Sequence, residues 1–260
     1  MRVLQVHPTH KCNLACRFCP YQSCDDELPV TDFMKWISVF HQHGCTCLKV
    51  SGGGEPTCYP YLEDALVLAR MLGMTICLQT NGLRLTEKIA DLCDDIRVSC
   101  GDGRVFVPSK VLPTGFSYVV TQNPDYDNLN NVVSYAVKHK CYIRITQDDR
   151  ELDDIPTIEE IKKHIVYTDT LLISSRSPEL FRLSPGNSLI RFWDALDYHV
   201  GSNPCPCHSS PLLSAYGWFP CCKTHVAHQY TGGGYDMSMC LGETLPAEPY
   251  DGSSCTRCYY

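Results

Sequence analysis

The chain has 260 residues, of which 44% are hydrophobic and 20% are charged, and its formal net charge is -7. This length suits one ordinary domain that buries its core without disulfide bonds. The acidic balance argues against a surface that binds nucleic-acid phosphates, and the first residues lack the apolar stretch of a signal peptide or membrane span. We therefore expect a cytoplasmic protein whose 18 cysteines serve metal or redox chemistry rather than a disulfide framework.

Short β-branched runs alternate with amphipathic stretches over residues 2–173, and Gly, Pro, Asn or Asp marks each change. Strands are predicted at residues 3–6, 48–51, 75–80, 96–99, 117–121, 142–146 and 171–174. Helices are predicted from Thr31, as an N-cap, to Gly44, from residue 62 to Gly73, after Thr86, and at residues 129–138, 158–165 and 189–198. Strands separated by helices imply parallel pairing, and hence an α/β sheet or barrel.

The composition changes after residue 178 and becomes loop-rich after Gly201. Seven cysteines lie between Cys205 and Cys258, with little apolar sequence that could form a core of its own. Bound metal is the obvious means of ordering such a segment. The sequence therefore predicts a core domain at residues 1–186 and a small Cys-rich domain at residues 187–260.

Three cysteines, Cys12, Cys16 and Cys19, form a C-x3-C-x2-C array directly after the first predicted strand. Three thiolates on one tight loop suit three irons of a cubane iron–sulfur cluster and leave the fourth iron open to another ligand. On spacing alone, a zinc knuckle completed by His7 or His10 is the alternative.

A glycine-rich segment, Ser51-Gly52-Gly53-Gly54-Glu55-Pro56, follows the second predicted strand. Consecutive glycines let a ligand approach the backbone, and a carboxylate can hold an ammonium group. The structural alternative for Glu55 is a carboxylate at a helix N-terminus. Together with the three-Cys loop, the segment resembles the radical S-adenosylmethionine (radical SAM) superfamily, and Thr80-Asn81-Gly82 and Ser99 are similar to its later motifs. The sequence departs from that pattern at Cys100-Gly101-Asp102-Gly103, where an aliphatic residue and then Asp-Gly are more usual.

The resemblance implies a partial (β/α)6 TIM-like barrel of parallel strands, with a 4Fe–4S cluster on the three cysteines and SAM on its open iron. Gly52, Gly53, Gly54 and Glu55 would then bind SAM around its amino group, and Asn81 and Ser99 would contact its ribose or carboxylate. Reductive cleavage of SAM would give a 5′-deoxyadenosyl radical that abstracts hydrogen from a substrate. A reducing partner such as flavodoxin or ferredoxin is implied as well.

The Cys-rich segment resembles the SPASM/twitch extension of many radical SAM enzymes, which implies an auxiliary 4Fe–4S cluster. Its expected ligands are Cys207, Cys221, Cys255 and Cys258, and Cys205 and Cys222 are the alternatives at the first two positions. A structural zinc ribbon is the competing interpretation of these cysteines.

Cys100 stands at the carboxyl end of the fourth predicted strand. There it could face the barrel mouth and act as a catalytic hydrogen-atom donor, although an inert core thiol is the simpler interpretation.

The leading functional hypothesis is oxidation or rearrangement of a polar small-molecule, nucleotide-like or carrier-presented substrate. Peptide cross-linking, thioether formation or epimerisation is the alternative, with a separate recognition partner because Cys12 leaves no room for a preceding peptide-binding domain. Modification of nucleic acid ranks third, since the sequence has no basic stripe. A non-catalytic iron–sulfur or zinc protein is the alternative of another class, and it would have no use for residues 52–56.

Overall fold

The computed structural model describes residues 2–19, 21, 23–108, 110–148, 155–166, 190–193 and 212–219. Its strands are β1 Arg2–His7, β2 Cys45–Val50, β3 Thr75–Thr80, β4 Asp95–Gly101, β5 Gly115–Val120, β6 Tyr142–Gln147, β7 Ile190–Trp193, β8 Leu212–Ser214 and β9 Gly217–Phe219. Its helices are α1 Val30–Gln42, α2 Leu62–Met71, α3 Glu87–Asp91, α4 Tyr126–Lys138 and α5 Ile158–Lys163, with a 3-10 turn at Pro56–Cys58. In the described ranges, no helix combines the length and apolar character needed to cross a membrane.

The described strands form one sheet with the order β7-β6-β5-β4-β3-β2-β1-β8-β9. Strands β1 to β7 pair in parallel in chain order. Strand β8 runs parallel to β1 and turns into the antiparallel β9. The predicted α/β class and partial barrel of parallel strands are confirmed, although the parallel run contains more strands than the six expected. The predicted Cys-rich domain depends on cysteines outside the described residues and stays a prediction.

The extra strand β7 lies where the apolar spacing predicted a helix over residues 189–198, and that prediction is wrong for Ile190–Trp193. These residues pair with β6, with Ile190 opposite Ile143. Apolar side chains at 190, 192 and 193 fit a helical stripe or a strand equally well, so periodicity cannot discriminate in so short a run. The open edge of β6 decides the outcome. The predicted strand at 171–174 lies outside the described residues.

Helix α1 presents the expected apolar face, with Phe33, Trp36, Ile37 and Phe40 buried. It begins earlier than predicted, at Val30 after Pro29, instead of after Thr31. The proline ring holds φ at a value suited to a helix start, so the chain turns before Thr31. Thr86 caps α3 as predicted, since its side chain accepts a hydrogen bond from the Ile89 N–H.

The two faces of the sheet differ in chemistry. Alternate residues of the strands pack against the helices in two apolar clusters, and Ile96, Val98 and Cys100 of β4 belong to them. Because strand side chains alternate, the intervening residues lie on the opposite, concave face. We call this the lumen face. It is polar and includes Gln5, His7, Lys49, Gln79, Arg97, Ser99, Ser117, Arg144 and Thr146.

Candidate active site

The three-Cys segment forms a loop, residues 12–19, at the carboxyl end of β1. The Cys19 N–H donates to the Cys16 carbonyl over 3.0 Å, and the Cys12 N–H donates to Ser23 Oγ over 3.2 Å. All three thiols are half-buried. The loop therefore presents the predicted cysteines together at the end of the barrel where α/β barrels place their active sites.

The three thiols of the cluster loop lie close to one another. Within the described ranges, no three Cys, His, Asp or Glu side chains form a group that could hold one metal ion. Burial raises the pKa of Cys12, and the nearby Glu55, Cys19 and Cys16 raise it further. The three thiols are therefore close neighbours, and the expected cubane cluster on them stays a prediction.

The glycine-rich turn packs on the backbone that leads into this cluster loop. The Gly54 N–H donates to the Thr9 carbonyl over 3.0 Å and the Glu55 N–H to the Lys11 carbonyl over 2.8 Å. A Cβ at Gly54 would lie 2.2 Å from the Lys11 carbonyl oxygen, and one at Gly53 would lie 2.3 Å from Cε1 of His10. The absence of side chains at Gly53 and Gly54 thus allows two segments of the protein to pack closely. This packing requires glycine whether or not a ligand binds.

The Glu55 carboxylate is 3% exposed and accepts four hydrogen bonds from the chain. Its Oε1 accepts from the N–H and hydroxyl of Thr57, at 3.0 and 2.6 Å, and from the Thr80 hydroxyl at 2.5 Å. Its Oε2 accepts from the Asn81 N–H at 2.6 Å. Glu55 therefore caps the turn Pro56–Cys58 and ties it to the end of β3. Because Oε2 has a single partner among the described residues, it retains a lone pair for a further donor, and the SAM-binding role stays a prediction.

Asn81 ties the end of β3 to the cluster loop. Its Nδ2 donates to Asn13 Oδ1 over 2.6 Å, and its Oδ1 accepts from the Leu83 N–H at 3.0 Å. Ser99 lies on the lumen face of the neighbouring strand β4, half-buried. The predicted contacts of Asn81 and Ser99 with SAM remain predictions, and the structure adds a positioning role for Asn81.

A cavity of about 460 Å³ opens beside Cys16. Its walls come from the cluster loop, through Arg17 and Phe18, and from the segments after β4 and β5, through Asp102, Arg104 and Asn123. Space of this size beside the cysteine loop can hold a small organic molecule.

Comparison with known proteins agrees with this geometry. The radical SAM superfamily profile matches residues 6–101, a range that contains the cluster loop, the glycine-rich turn, Asn81, Ser99 and Cys100. Residues 6–101 of the chain thus match the radical SAM superfamily.

Two curated relatives share this part of the chain. An S-adenosylmethionine-dependent nucleotide dehydratase of Thermoplasmatales archaeon (strain ISO4-H5) is 27% identical over 88 residues, which are 33% of this chain and 31% of the relative. A probable GTP 3′,8-cyclase of Halobacterium salinarum is 28% identical over 144 residues, 52% of this chain and 38% of the relative. The chain thus spans about a third of the length of these relatives.

Among solved structures, SuiB of Streptococcus suis bound to the precursor peptide SuiA superposes with a TM-score of 0.57 at 12% identity. The similarity covers 90% of this chain and 61% of SuiB. At this identity the likeness concerns the fold alone.

Two residues of the site that sequence reasoning missed follow β4. Asp102 is 7% exposed and accepts from the Tyr118 hydroxyl at 2.8 Å and from the Thr121 and Asp125 N–H groups at 2.6 and 3.0 Å. It thereby joins the ends of β4 and β5 at the cavity wall. The departure at Cys100-Gly101-Asp102-Gly103 was the signal, and Gly101 is required there because a Cβ would lie 2.3 Å from the Phe18 ring.

The second missed residue, Arg104, links three parts of the site. Its guanidinium donates to the carbonyls of Ser99 and Asn81, at the ends of β4 and β3. Burial raises the pKa of Cys16, and the positive charge of Arg104 offsets only part of that rise. Nothing in the sequence distinguishes this arginine, because its role depends on strand ends that are distant along the chain.

Cys100 points away from the lumen. It belongs to the apolar cluster beneath α4, is 3% exposed, and burial raises its pKa to about 12. The hydrogen-atom-donor role stays a prediction, and this placement favours the simpler interpretation, an inert core thiol.

The predicted auxiliary-cluster ligands, Cys207, Cys221, Cys255 and Cys258, lie outside the described residues. The described hairpin β8–β9 joins the edge of the core sheet beside β1. Its Tyr216 ring lies 4.7 Å from the His10 ring, centroid to centroid, and its hydroxyl donates to Asp26 Oδ2 over 2.7 Å. The hairpin therefore contacts segments on both sides of the cluster loop, and the domain boundary at residue 186 stays a prediction.

Proposed function

We propose that this protein is a radical SAM enzyme acting on a polar small-molecule or nucleotide-like substrate, which it oxidises or rearranges after hydrogen abstraction. The observation that carries the proposal is the packing of the residue 52–55 turn on residues 9–11, which lead directly into the loop that bears Cys12, Cys16 and Cys19. When bound, a 4Fe–4S cluster would supply the electron that cleaves SAM to a 5′-deoxyadenosyl radical. The chain itself has to hold, orient and shield the reactants.

Each residue group has a distinct part in this proposal. The three thiolates would hold the cluster, and Glu55 Oε2 would accept a hydrogen bond from the amino group of SAM. Glu55, Asn81 and Arg104 make hydrogen bonds that fix the ends of β3 and β4 relative to the cluster loop. This network limits movement of the SAM-binding residues, which favours a reactive alignment of bound molecules.

The names of the curated relatives support a nucleotide-like substrate. One is a nucleotide dehydratase and the other is a probable GTP cyclase. Peptide modification is the second candidate. The similarity of the chain's fold to that of SuiB supports this candidate, whereas the sequence identity of 12% gives it no support.

An auxiliary 4Fe–4S cluster on Cys207, Cys221, Cys255 and Cys258 belongs to the same proposal. It would bind the substrate or accept an electron from the substrate radical. A flavodoxin- or ferredoxin-like partner would reduce the first cluster.

The test is anaerobic reconstitution of the full chain with iron and sulfide, followed by incubation with SAM and a strong reductant. We expect about eight irons per chain, as two 4Fe–4S clusters require, and formation of 5′-deoxyadenosine. About four irons with SAM cleavage would remove the auxiliary cluster from the proposal. A protein that binds iron or zinc and never cleaves SAM would overturn it.

Matched variants separate the two cysteine groups. Cys16→Ala should abolish SAM cleavage because it removes an iron ligand of the first cluster. Cys255→Ala should leave that cleavage intact and impair only product formation. Equal loss of cleavage in both variants would contradict the division of roles.

A further inference from the structure

One buried arginine on the lumen face lacks a charge partner among the described residues. Arg97 of β4 is 8% exposed. Its neighbours along the strand, Ile96 and Val98, face the helices, so Arg97 projects from the concave side of the sheet. In the part of the chain that the structure describes, its guanidinium takes part in no hydrogen bond or ion pair. Its nitrogens are not among the described side-chain atoms that are fully buried without a partner, so the guanidinium keeps a small solvent contact. A charge this far removed from water is normally paired.

The surrounding residues do not neutralise Arg97. At the same level of the sheet, Arg97 pairs with Gly115, and Gly115 pairs with Tyr142. The Tyr142 ring lies over Gly115, where a Cβ would be 2.4 Å from the ring carbons. The Tyr142 hydroxyl reaches Asp95 Oδ1 at 3.4 Å. Asp95 also accepts a hydrogen bond from the Thr114 hydroxyl at 2.7 Å. In the described part of the chain, it forms no ion pair with Arg97.

The charge of the strands differs from that of the whole chain. The net charge of the chain is -7, yet Asp95 is the one carboxylate in the described strands, which contain five basic residues, Arg2, Lys49, Arg97, Arg144 and Arg191. Lys49 of β2 and Arg144 of β6 occupy the lumen face, on either side of Arg97. By the same alternation Asp95 lies on the lumen face as well, so the described strands place three basic residues there, Lys49, Arg97 and Arg144, against one carboxylate.

We propose that Arg97 is a substrate-binding residue that holds an oxyanion group of the substrate, foremost a phosphate, inside the barrel lumen. The planar guanidinium offers parallel N–H donors that match two oxygens of a phosphate or a carboxylate. A bound anion would supply the charge and acceptors that the described residues do not give Arg97. This inference rests on the proposed function, because the lumen is where a substrate would meet the radical, and it narrows the substrate class to anions.

Calorimetric titration of the reconstituted full chain, without reductant, tests the proposal with two probes. Inorganic pyrophosphate represents phosphate-bearing substrates, and malonate represents carboxylates. We expect pyrophosphate to bind and its affinity to fall roughly tenfold or more in Arg97→Leu, as the loss of a charge-assisted hydrogen bond implies. Arg97→Lys should lose less because it keeps the charge.

Arg70→Leu is the matched control. Arg70 is an exposed arginine on α2 that pairs with Asp94 over 3.0 Å, so its replacement removes the same charge away from the lumen. Its affinity for both probes should equal that of the wild type. An equal loss in both variants would reduce the effect to net charge and would overturn the assignment of Arg97.

Thermal unfolding without probes distinguishes binding from a structural role. If Arg97 awaits a ligand, Arg97→Leu should unfold at the same or a higher temperature than the wild type. A clearly lower temperature for both Arg97→Leu and Arg97→Lys would make Arg97 a structural residue and overturn the proposal.

The remaining outcomes are equally decisive. Binding of malonate alone would support the oxyanion site and change its expected ligand from a phosphate to a carboxylate. Binding of neither probe to the wild type would refute the site. Since the titration needs no SAM cleavage, a protein that cleaves SAM and binds no anion would lose only this inference, whereas the reverse result would refute the proposed function.

Discussion

The helix face and the lumen face of one sheet are built from alternate residues of the same strands, and they follow opposite rules. On the helix face, Leu4, Leu48, Ile76 and Leu78 are fully buried among apolar neighbours. On the lumen face, Gln5 bonds to Ser51 and Arg97 is buried without a charge partner among the described residues. The first face stabilises the fold through apolar burial. The second face bears desolvated polar groups, which cost stability and are useful for binding.

This contrast predicts the sign of substitution effects. Truncation of a helix-face side chain should cost stability and leave chemistry intact. Changes on the lumen face and at the strand ends should impair binding or chemistry and leave the stability unchanged.

The largest expected difference is between two cysteines that differ in the direction they face. Cys16→Ala should eliminate SAM cleavage, whereas Cys100→Ala should keep full iron content and cleavage and cost about 1 kcal/mol of unfolding free energy. Iron analysis, 5′-deoxyadenosine assays and denaturant unfolding measure these effects. If Cys100→Ala retained SAM cleavage and lost substrate turnover, Cys100 would be a catalytic residue despite its place in the core.

A second pair of variants tests the contact between the glycine-rich turn and the backbone that leads into the cluster loop. Gly54→Ala places a Cβ 2.2 Å from the Lys11 carbonyl oxygen, so the turn has to move and the reconstituted protein should lose most of its SAM cleavage. Gly73→Ala is the control. Gly73 has φ +71°, and a Cβ added there would meet no atom within 4 Å, so the change should cost only the left-handed backbone penalty, about 1–2 kcal/mol of stability. Equal activity of the two variants would show that the contact is dispensable.

The third comparison sets a core leucine against the lumen arginine. Leu66 on α2 is fully buried, and Leu66→Ala should lower the unfolding free energy by roughly 2–5 kcal/mol. Arg97→Leu should leave it unchanged or raise it. Denaturant unfolding of both variants is sufficient, and a loss of similar size in each would abolish the contrast between the faces.

The smallest effect is expected at the rim of the sheet. A hydrogen bond from the Tyr216 hydroxyl, together with one from Cys24, lowers the pKa of Asp26. A lowered pKa in the folded state stabilises the protein above the ordinary pKa of an aspartate, and this contribution is lost as the pH falls through the folded value. Tyr216→Phe should therefore raise the pKa of Asp26 and reduce this acid-dependent loss. An NMR titration of Asp26 that gave the same pKa in both proteins would exclude the hydrogen bond as its cause.

Much of the fold was predictable because local patterns carry it. The residue range of β3 was predicted without error, and alternation in Ile96-Arg97-Val98-Ser99 already separates the two faces of β4. The prediction failed at Ile190–Trp193, where pairing with β6 overrode a helical spacing.

The motif residues of the site could be predicted from the sequence, but the hydrogen bonds between them could not. The cysteine loop and the glycine-rich turn were recognised from their motifs. The internal bonds of Glu55 were not, because its partners Thr80 and Asn81 lie at the end of the next strand. Arg97 and Arg104 carry no motif, and their importance depends on burial and on distant carbonyls, which only the folded chain provides.

The pairing of β8 with β1 has a consequence for the order of assembly. Residues 212–214 leave the ribosome long after β1, so among the described strands a growing chain holds β1 with one neighbour, β2, and an open side. Until β8 arrives, the strand that leads into the cysteine loop exposes unpaired amide and carbonyl groups, the kind of edge on which chains aggregate. A truncated product that stopped before Leu212 would retain this open side permanently.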